Sequence, residues 1–314
     1  MAGPLRIVSL VSSATEMLYA LGLGDWVVAV SHECDYPAEV AQKPRVTRTS
    51  IDGARSSRDI DTQVRALATT GSPLYEIDAD LLAELAPNLI VTQAQCDVCA
   101  VPYADVLQLV TDRQEFKHTR IVALDPQSLE DVLAELVQVG EAAGRREEAL
   151  RTAAEMKGRI EMVSSRCEHV ASADRPRTCI IEWIEPIMLA GNWAPQLMQL
   201  AGGARGLTEP HQQSQYAEWE QVRDYDPQLV VIAPCGFDLG RTLEEAERLT
   251  SLPGWSSVAA VQSGRVFAVD GTAYFNRPGP RLVDSLEMLA HFVHPELAPQ
   301  PTRAAEGTAW QRLA

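Results

Sequence analysis

Leu85-Ala86-Pro87-Asn88-Leu89-Ile90-Val91-Thr92-Gln93-Ala94-Gln95-Cys96 is echoed 140 positions later by Tyr225-Asp226-Pro227-Gln228-Leu229-Val230-Val231-Ile232-Ala233-Pro234-Cys235. Each stretch ends a helix at a proline, runs through a short apolar strand and stops at a loop cysteine. A second echo precedes each: T-E-M-L-Y-A-L-G over Thr15–Gly22 and P-Q-L-M-Q-L-A-G over Pro195–Gly202. These are short amphipathic helices that stop at glycine. A strand-loop-helix unit and a later buried strand, both stated twice, imply two α/β lobes built alike. Two such lobes on one chain predict a cleft between them in which a ligand sits.

Apolar runs of four to six residues alternate with helical patterns along the whole chain, the pattern of a mostly parallel sheet flanked by helices. Strands are expected at 6–10, 27–31, 89–92 and 121–124 in the first half, and at 178–183, 229–233 and 265–269 in the second. Between the halves, 128–170 is rich in Ala, Glu, Leu and Arg. Ser128 with Asp131 resembles a helix start, Gly144 an interruption, and 145–170 a single stiff helix joining the lobes. The expected division is therefore 1–126 for the first lobe, 127–172 for a helical linker, 173–296 for the second lobe and 297–314 for a flexible tail. Pro299, Pro301 and Gly307 motivate the last of these.

With 27 basic and 43 acidic side chains among 314 residues, the formal net charge is −16. A chain so acidic is repelled by phosphate backbones and anionic lipid, which argues against nucleic-acid and membrane-surface partners. No run approaches the roughly 20 apolar residues of a spanning helix, so membrane insertion is not expected. The N-terminus carries neither a signal-peptide pattern nor a lipid-anchoring cysteine, so a cytoplasmic location is expected as written, and an extracytoplasmic one if the true start lies upstream. Six cysteines are too few for a disulfide scaffold of this length.

Ligands of parallel α/β sheets bind beyond the carboxyl ends of the strands, so the residues there are the candidates. They are His32-Glu33-Cys34-Asp35-Tyr36, Gln93 through Cys99, Ile184-Glu185-Pro186 with Gly191-Asn192-Trp193, Pro234-Cys235-Gly236-Phe237, and Asp270 through Arg277. Tyr36, Trp183, Trp193, Tyr274 and Phe275 offer flat apolar walls to a large planar ligand, or else belong to the core. Arg277 and Arg281 can meet amides or carboxylates, or pair with local acids. The Cys96-x-x-Cys99 pair, with His32, Cys34 and Cys235 on neighbouring loops, suggests metal or redox chemistry, against an incidental origin. Cys179 reads as core. Ser13 through Glu16 fits a capping box, S-x-x-E. No nucleophile elbow, phosphate loop, dinucleotide fingerprint or helical zinc motif occurs, so no catalytic residue is assigned.

These segments resemble one family. I-V-S-L-V-S-S-A-T-E-M-L-Y-A-L-G at the start, S-x-x-x-D-Y-P over Ser31–Pro37, L-x-P-N-L-I-V over Leu85–Val91 and R-P-G-P-R-L-V-D over Arg277–Asp284 look like the cobalamin-binding proteins. Those belong to the helical-backbone periplasmic receptors of ABC importers, which also include heme, siderophore and metal-ion binders. The resemblance, over about residues 5–295, implies non-catalytic binding of cobalamin or a related corrinoid between the lobes, as a cytosolic carrier or sensor or as an ABC-importer receptor, with no catalytic cofactor. It implies contact through Ser13, His32, Tyr36, Gln93, Cys96, Trp183, Trp193, Asp270, Tyr274, Phe275, Arg277 and Arg281. Tyr36 matches the tyrosine that packs on the corrin, and Asp270 with the Tyr274–Arg281 loop matches the segment holding its amides. Asp80 and Glu220 fall where the family sets one carboxylate per lobe against arginines of the importer permease. Where relatives place tryptophan after the 89–92 strand, this chain has Gln93, Cys96 and Cys99. The alternatives are a heme, siderophore or metal-ion receptor of the same fold, or a thiol- or metal-dependent enzyme built on His32, Cys34, Cys96, Cys99 and Cys235.

Overall fold

The computed structural model describes residues 4–96 and 98–313 and divides the chain into two compact units. The first takes residues up to Arg55 together with Thr62–Pro126 and Glu130–Glu155. The elements up to the middle of the chain run β1 (Ile7–Ser9), α1 (Ser12–Ala20), β2 (Val27–Val30), β3 (Thr47–Thr49), α2 (Ser57–Thr70), β4 (Tyr75–Ile77), α3 (Ala79–Leu85), β5 (Leu89–Gln93), α4 (Tyr103–Asp112), β6 (Arg120–Leu124), α5 (Leu129–Ala142) and α6 (Arg146–Cys167), of which α2, α5 and α6 begin or end in the second unit. The main sheet has the order β2-β1-β5-β6, every pair parallel. Parallel strands need crossovers, and the intervening helices supply them. Val8, Ala29, Ile90 and Leu82 pack with Phe116 and Val106 as the core of this unit. A short antiparallel pair, β3 with β4, lies apart from that sheet.

The second unit takes Ser56–Asp61, Gln127–Leu129 and the chain from Met156 onward. Its elements are β7 (Thr178–Trp183), β8 (Met188–Leu189), α7 (Ala194–Leu200), β9 (Gln215–Tyr216), α8 (Trp219–Tyr225), β10 (Leu229–Ile232), α9 (Leu239–Thr250), α10 (Ala259–Gln262), β11 (Val266–Val269), α11 (Leu282–Val293) and β12 (Trp310–Leu313). Three parallel strands, β11-β10-β7, form the middle of a six-stranded sheet that is extended antiparallel by β12 on one side and β8-β9 on the other. Ile181, Val230 and Ile232 pack with Trp219, Trp255 and Leu249 beneath it.

All seven expected strands are present, with ends shifted by at most one residue. Helix α6 covers 22 residues, about 33 Å at the usual rise, and Gly144, with φ of 72°, separates it from α5. The residues expected as a separate linker are instead shared between the units: α6 up to Glu155 counts with the first, and from Met156 with the second.

Two local expectations are corrected. The tail is not a loose end. Trp310 is buried, donates from Nε1 to Ala304 O (3.1 Å) and meets Phe292 edge-on, and Trp310–Leu313 pairs along β11. Gly307, at φ of 82°, forms the turn before this strand and donates N–H to Trp310 O at 2.8 Å. The S-x-x-E at Ser13 is not a capping box either, because the N-cap of α1 is Val11, two residues earlier, with no side-chain cap.

Candidate functional site

In the first unit the loop after β2 is held by an internal clamp. Arg45 donates from Nη1 to Ser31 O (2.9 Å) and Cys34 O (2.5 Å). Ser12 Oγ donates to Glu33 O (2.8 Å), and Thr15 Oγ1 lies 2.8 Å from Ser9 Oγ and 3.1 Å from Cys34 Sγ. With Ser31 to Cys34 fixed in this way, the next aromatic is carried outward: Tyr36 is 47% exposed, ahead of a cis bond to Pro37. A large exposed aromatic on a fixed loop is an apolar platform rather than core.

The neighbouring loop after β5 is also tied down. Buried Gln93 receives Cys96 N–H at 2.8 Å and donates Nε2 to Cys96 O at 2.6 Å. Gln95 Nε2 donates to Pro126 O (2.6 Å), and Tyr75 Oη donates to Val98 O (2.6 Å). Tyr75 in turn packs on His32, with ring centroids 5.6 Å apart. His32 Nδ1 is 2.7 Å from Thr47 Oγ1, and its Nε2 is enclosed, with Glu33 Oε1 3.2 Å away. Asp97 lies outside the described residues.

In the second unit, the ends of β7 and β10 bring two aromatic rings and an arginine together. The Trp183 ring lies 5.2 Å from that of Phe237, tilted by 52°, and the Arg241 guanidinium lies 3.9 Å from the Phe237 ring centre. Asp238 fixes that arginine's backbone by capping α9, accepting Arg241 N–H at 2.8 Å. The β11 loop presses against the β10 loop. A Cβ on Gly271 would sit 2.0 Å from Pro234 O, so only glycine fits, and Asn276 Nδ2 bonds Ala233 O (2.8 Å) and Gly271 O (3.1 Å). Asp270 accepts Ala273 N–H at 2.8 Å. Burial raises its pKa from the ordinary value, and the Arg281 and Arg277 charges pull it back. Arg281 stands 5.5 Å over the Tyr274 ring.

Half-buried side chains around these loops include Trp183, Asp270, Tyr274, Arg277 and Arg281. Other expected ligand contacts turn inward. Trp193 is 5% and Phe275 2% exposed, and they fasten to each other through Trp193 Nε1–H to Phe275 O at 2.6 Å. Both rings are buried rather than presented at the loop surface. Ser13 is likewise buried inside α1, and Gln93 is spent on the backbone of Cys96.

The candidate metal ligands are not gathered into one group: among the described residues no three His, Cys, Asp or Glu side chains are placed together to hold a metal ion. Cys34 is 1% exposed beneath its loop, His32 is committed to Thr47, and Cys99 is exposed while Cys96 and Cys235 are half-buried. Asp80 and Glu220 occupy matching places, the first turns of α3 and α8, the helices that precede β5 and β10. Both are exposed, and Asp80 is 2.9 Å from Arg113 Nη2.

The sequence reading missed Phe237 as a packing centre and Arg241 altogether. The legible signal was an aromatic after a loop glycine, followed by an Asp-x-x-Arg helix start.

A family model described as "Periplasmic binding protein" matches residues 7–273. An ABC transporter substrate-binding lipoprotein of Bacillus subtilis, YvrC, is 25% identical over 93% of this chain and 81% of its own length. A vitamin B12-binding protein of Vibrio cholerae is 22% identical over 92% of this chain and 88% of its own. Among solved structures, a periplasmic heme-binding protein from Pseudomonas aeruginosa superposes with a TM-score of 0.73 at 20% identity, covering 99% of both chains. The Vibrio cholerae vitamin B12-binding protein BtuF does so with a TM-score of 0.66 at 21% identity, covering 92% of this chain and 96% of its own. At those identities the structures establish the shared fold.

Proposed function

Because this chain belongs to the periplasmic binding protein family, we propose that it is a non-catalytic receptor for cobalamin or a related corrinoid. The loops at the carboxyl ends of the two parallel sheets make the contacts. The observation that carries this reading is Tyr36, an exposed aromatic on a loop that Arg45 holds rigid. A preset flat surface binds a large rigid chelate with little ordering cost. From the second unit, Trp183 would add apolar area, while Asp270, Arg277 and Arg281 would meet peripheral amides. The likeness to B12-binding relatives supports the ligand class.

An ABC-importer permease is the proposed partner, met through Asp80 and Glu220. The relatives' names, a lipoprotein and periplasmic binding proteins, favour an extracytoplasmic site of action over the cytoplasmic one expected from the N-terminus. A second reading, a heme-type chelate with carboxylate arms, draws on Arg241, Arg277 and Arg281 close to the same loops and on the heme-binding structural neighbours.

Titration of the purified protein with cyanocobalamin and, in parallel, hemin tests both, followed by gel filtration and visible spectra. Retained cobalamin with a changed spectrum supports the first reading, and retained hemin alone supports the second. Retention of neither overturns the receptor assignment for tetrapyrrole-like ligands.

A further inference from the structure

The candidate ligand loops of the second unit lie at the carboxyl ends of its parallel strands. At the opposite, amino-terminal ends of β7, β10 and β11 there is a separate cavity of about 400 Å³, lined by Arg175, Pro176, Gln228, Arg265, His294 and Glu296 among others. Pro176 stands two residues before β7, while Gln228 and Arg265 immediately precede β10 and β11. A chain of net charge −16 has here placed two guanidinium groups on one concavity.

Arg265 is the centre of it. Its Nη2 donates to the last carbonyls of α11, Phe292 O at 2.9 Å and Val293 O at 2.8 Å. A guanidinium has five N–H donors. The other three, on Nε and Nη1, have no acceptor among the described residues, although the side chain is half-buried. Burial lowers the pKa of this group, Glu296 raises it and Arg312 lowers it again, so its charge is incompletely matched. Arg175 stands alongside, bonded to Val170 O and Gln199 O at 3.2 Å each. Gln228 uses its Oε1 on Arg177 N–H (3.1 Å), which leaves its amide N–H₂ as a further donor on the cavity wall.

The two carboxylates on the lining, Asp174 and Glu296, belong to exposed residues, whereas Arg175 and Arg265 are half-buried and His294 is buried. Water screens the acids more than the bases. Glu296 Oε1 is paired with the buried His294 Nδ1 at 3.2 Å, so the free Arg265 donors are left facing the cavity, an arrangement that suits a small oxyanion. The geometry points to a second ligand site in this unit, at the amino ends of its strands, that takes a small oxyanion carrying phosphate or carboxylate groups.

Calorimetric titration of the full chain with inorganic phosphate and with citrate tests this, against sodium chloride at matched ionic strength. The expected result is saturable binding of phosphate, citrate or both at about millimolar Kd or tighter, and which of the two binds assigns the oxyanion chemistry. Glu296→Gln removes a competing negative charge without touching Arg265, and should tighten binding by about fivefold, the upper range for one partly exposed charge. Arg265→Gln should weaken it at least tenfold where the variant folds. Tyr36→Ala, at the other candidate site, should leave it unchanged. Heats no larger than those of chloride, or an affinity indifferent to Glu296→Gln, would overturn the assignment.

Discussion

Arg6 in the first unit and Arg177 in the second share a set of bonds, to which Arg177 adds contacts from Nε and Nη2 to Asp226. Arg6 N–H donates to Asn88 Oδ1 (2.9 Å), and its Nε to Leu85 O (2.7 Å). Arg177 N–H donates to Gln228 Oε1 (3.1 Å), and its Nε to Tyr225 O (3.0 Å). In return Asn88 and Leu89 N–H bond Arg6 O, and Gln228 and Leu229 N–H bond Arg177 O. Each arginine precedes the first strand of its unit, β1 or β7, and ties it to the last turn of the helix, α3 or α8, that leads into the adjacent parallel strand, β5 or β10. Both helices end in a non-glycine residue at positive φ, Ala86 at 44° and Asp226 at 49°. The repeat in the sequence is thus a repeat of hydrogen bonds.

Replacing either arginine by alanine releases a helix-terminal carbonyl from a charged donor. Arg6→Ala and Arg177→Ala should each destabilise by about 1–2 kcal/mol. Urea unfolding followed by circular dichroism measures this, and equal stability of either variant and the parent contradicts the clamp.

Glu135, on α5, is half-buried; its Oε1 accepts Asp125 N–H at 2.5 Å and its Oε2 is enclosed without a partner among the described residues. Burial, with Asp131 and Asp125 nearby, raises its pKa to about 7, against the bond from Asp125 N–H. A folded-state pKa above the unfolded one means that the folded chain holds the proton more tightly. The contribution to stability is therefore intact below the unfolded value and is lost as pH rises from about 4.5 to about 7. Glu135→Gln should be more stable than the parent at pH 8 by about 2 kcal/mol, below the full linkage value because the carboxyl is partly solvated, with the gap closing near pH 4. Melting temperatures across that range decide it, and a gap that widens at low pH contradicts the sign.

The two tryptophans of the second unit should respond oppositely. Trp183→Ala removes a half-buried ring that packs on Phe237 and should weaken binding of the chelate about tenfold with a modest stability cost. Trp193→Phe deletes the Nε1 bond to Phe275 O and should cost about 1–2 kcal/mol of stability with little direct effect on affinity. Paired melting and titration measurements on both variants would expose a reversed assignment.

Trp310 anchors the final strand. Trp310→Ala leaves a hole beside Phe267 and Phe292, and should destabilise the second unit by about 3–5 kcal/mol. A loss below 1 kcal/mol by chemical denaturation would return the tail to the flexible state read from its prolines.

The parallel strands, their helices and the twofold repeat were legible because apolar runs, prolines and helical periods are local signals, encoded within a dozen residues of the element they specify. The presentation of Tyr36 was legible too, because a proline and polar neighbours mark a loop. What chain neighbours could not reveal is which way a side chain turns once strands distant in sequence are side by side. Trp193 and Phe275 carry the same chemistry as Trp183, yet 82 residues of separation close into one hydrogen bond and take both into the interior. Cys34, His32 and Gln93 read as ligands by type, but each lies under or within a loop that the fold clamps from elsewhere. The tail strand and the Arg265 cavity are likewise products of pairing and packing at a distance. Sequence determined the elements and their order. Tertiary structure decided which polar groups found partners and which were left facing open space, because burial and hydrogen bonding depend on neighbours that the chain acquires only on folding.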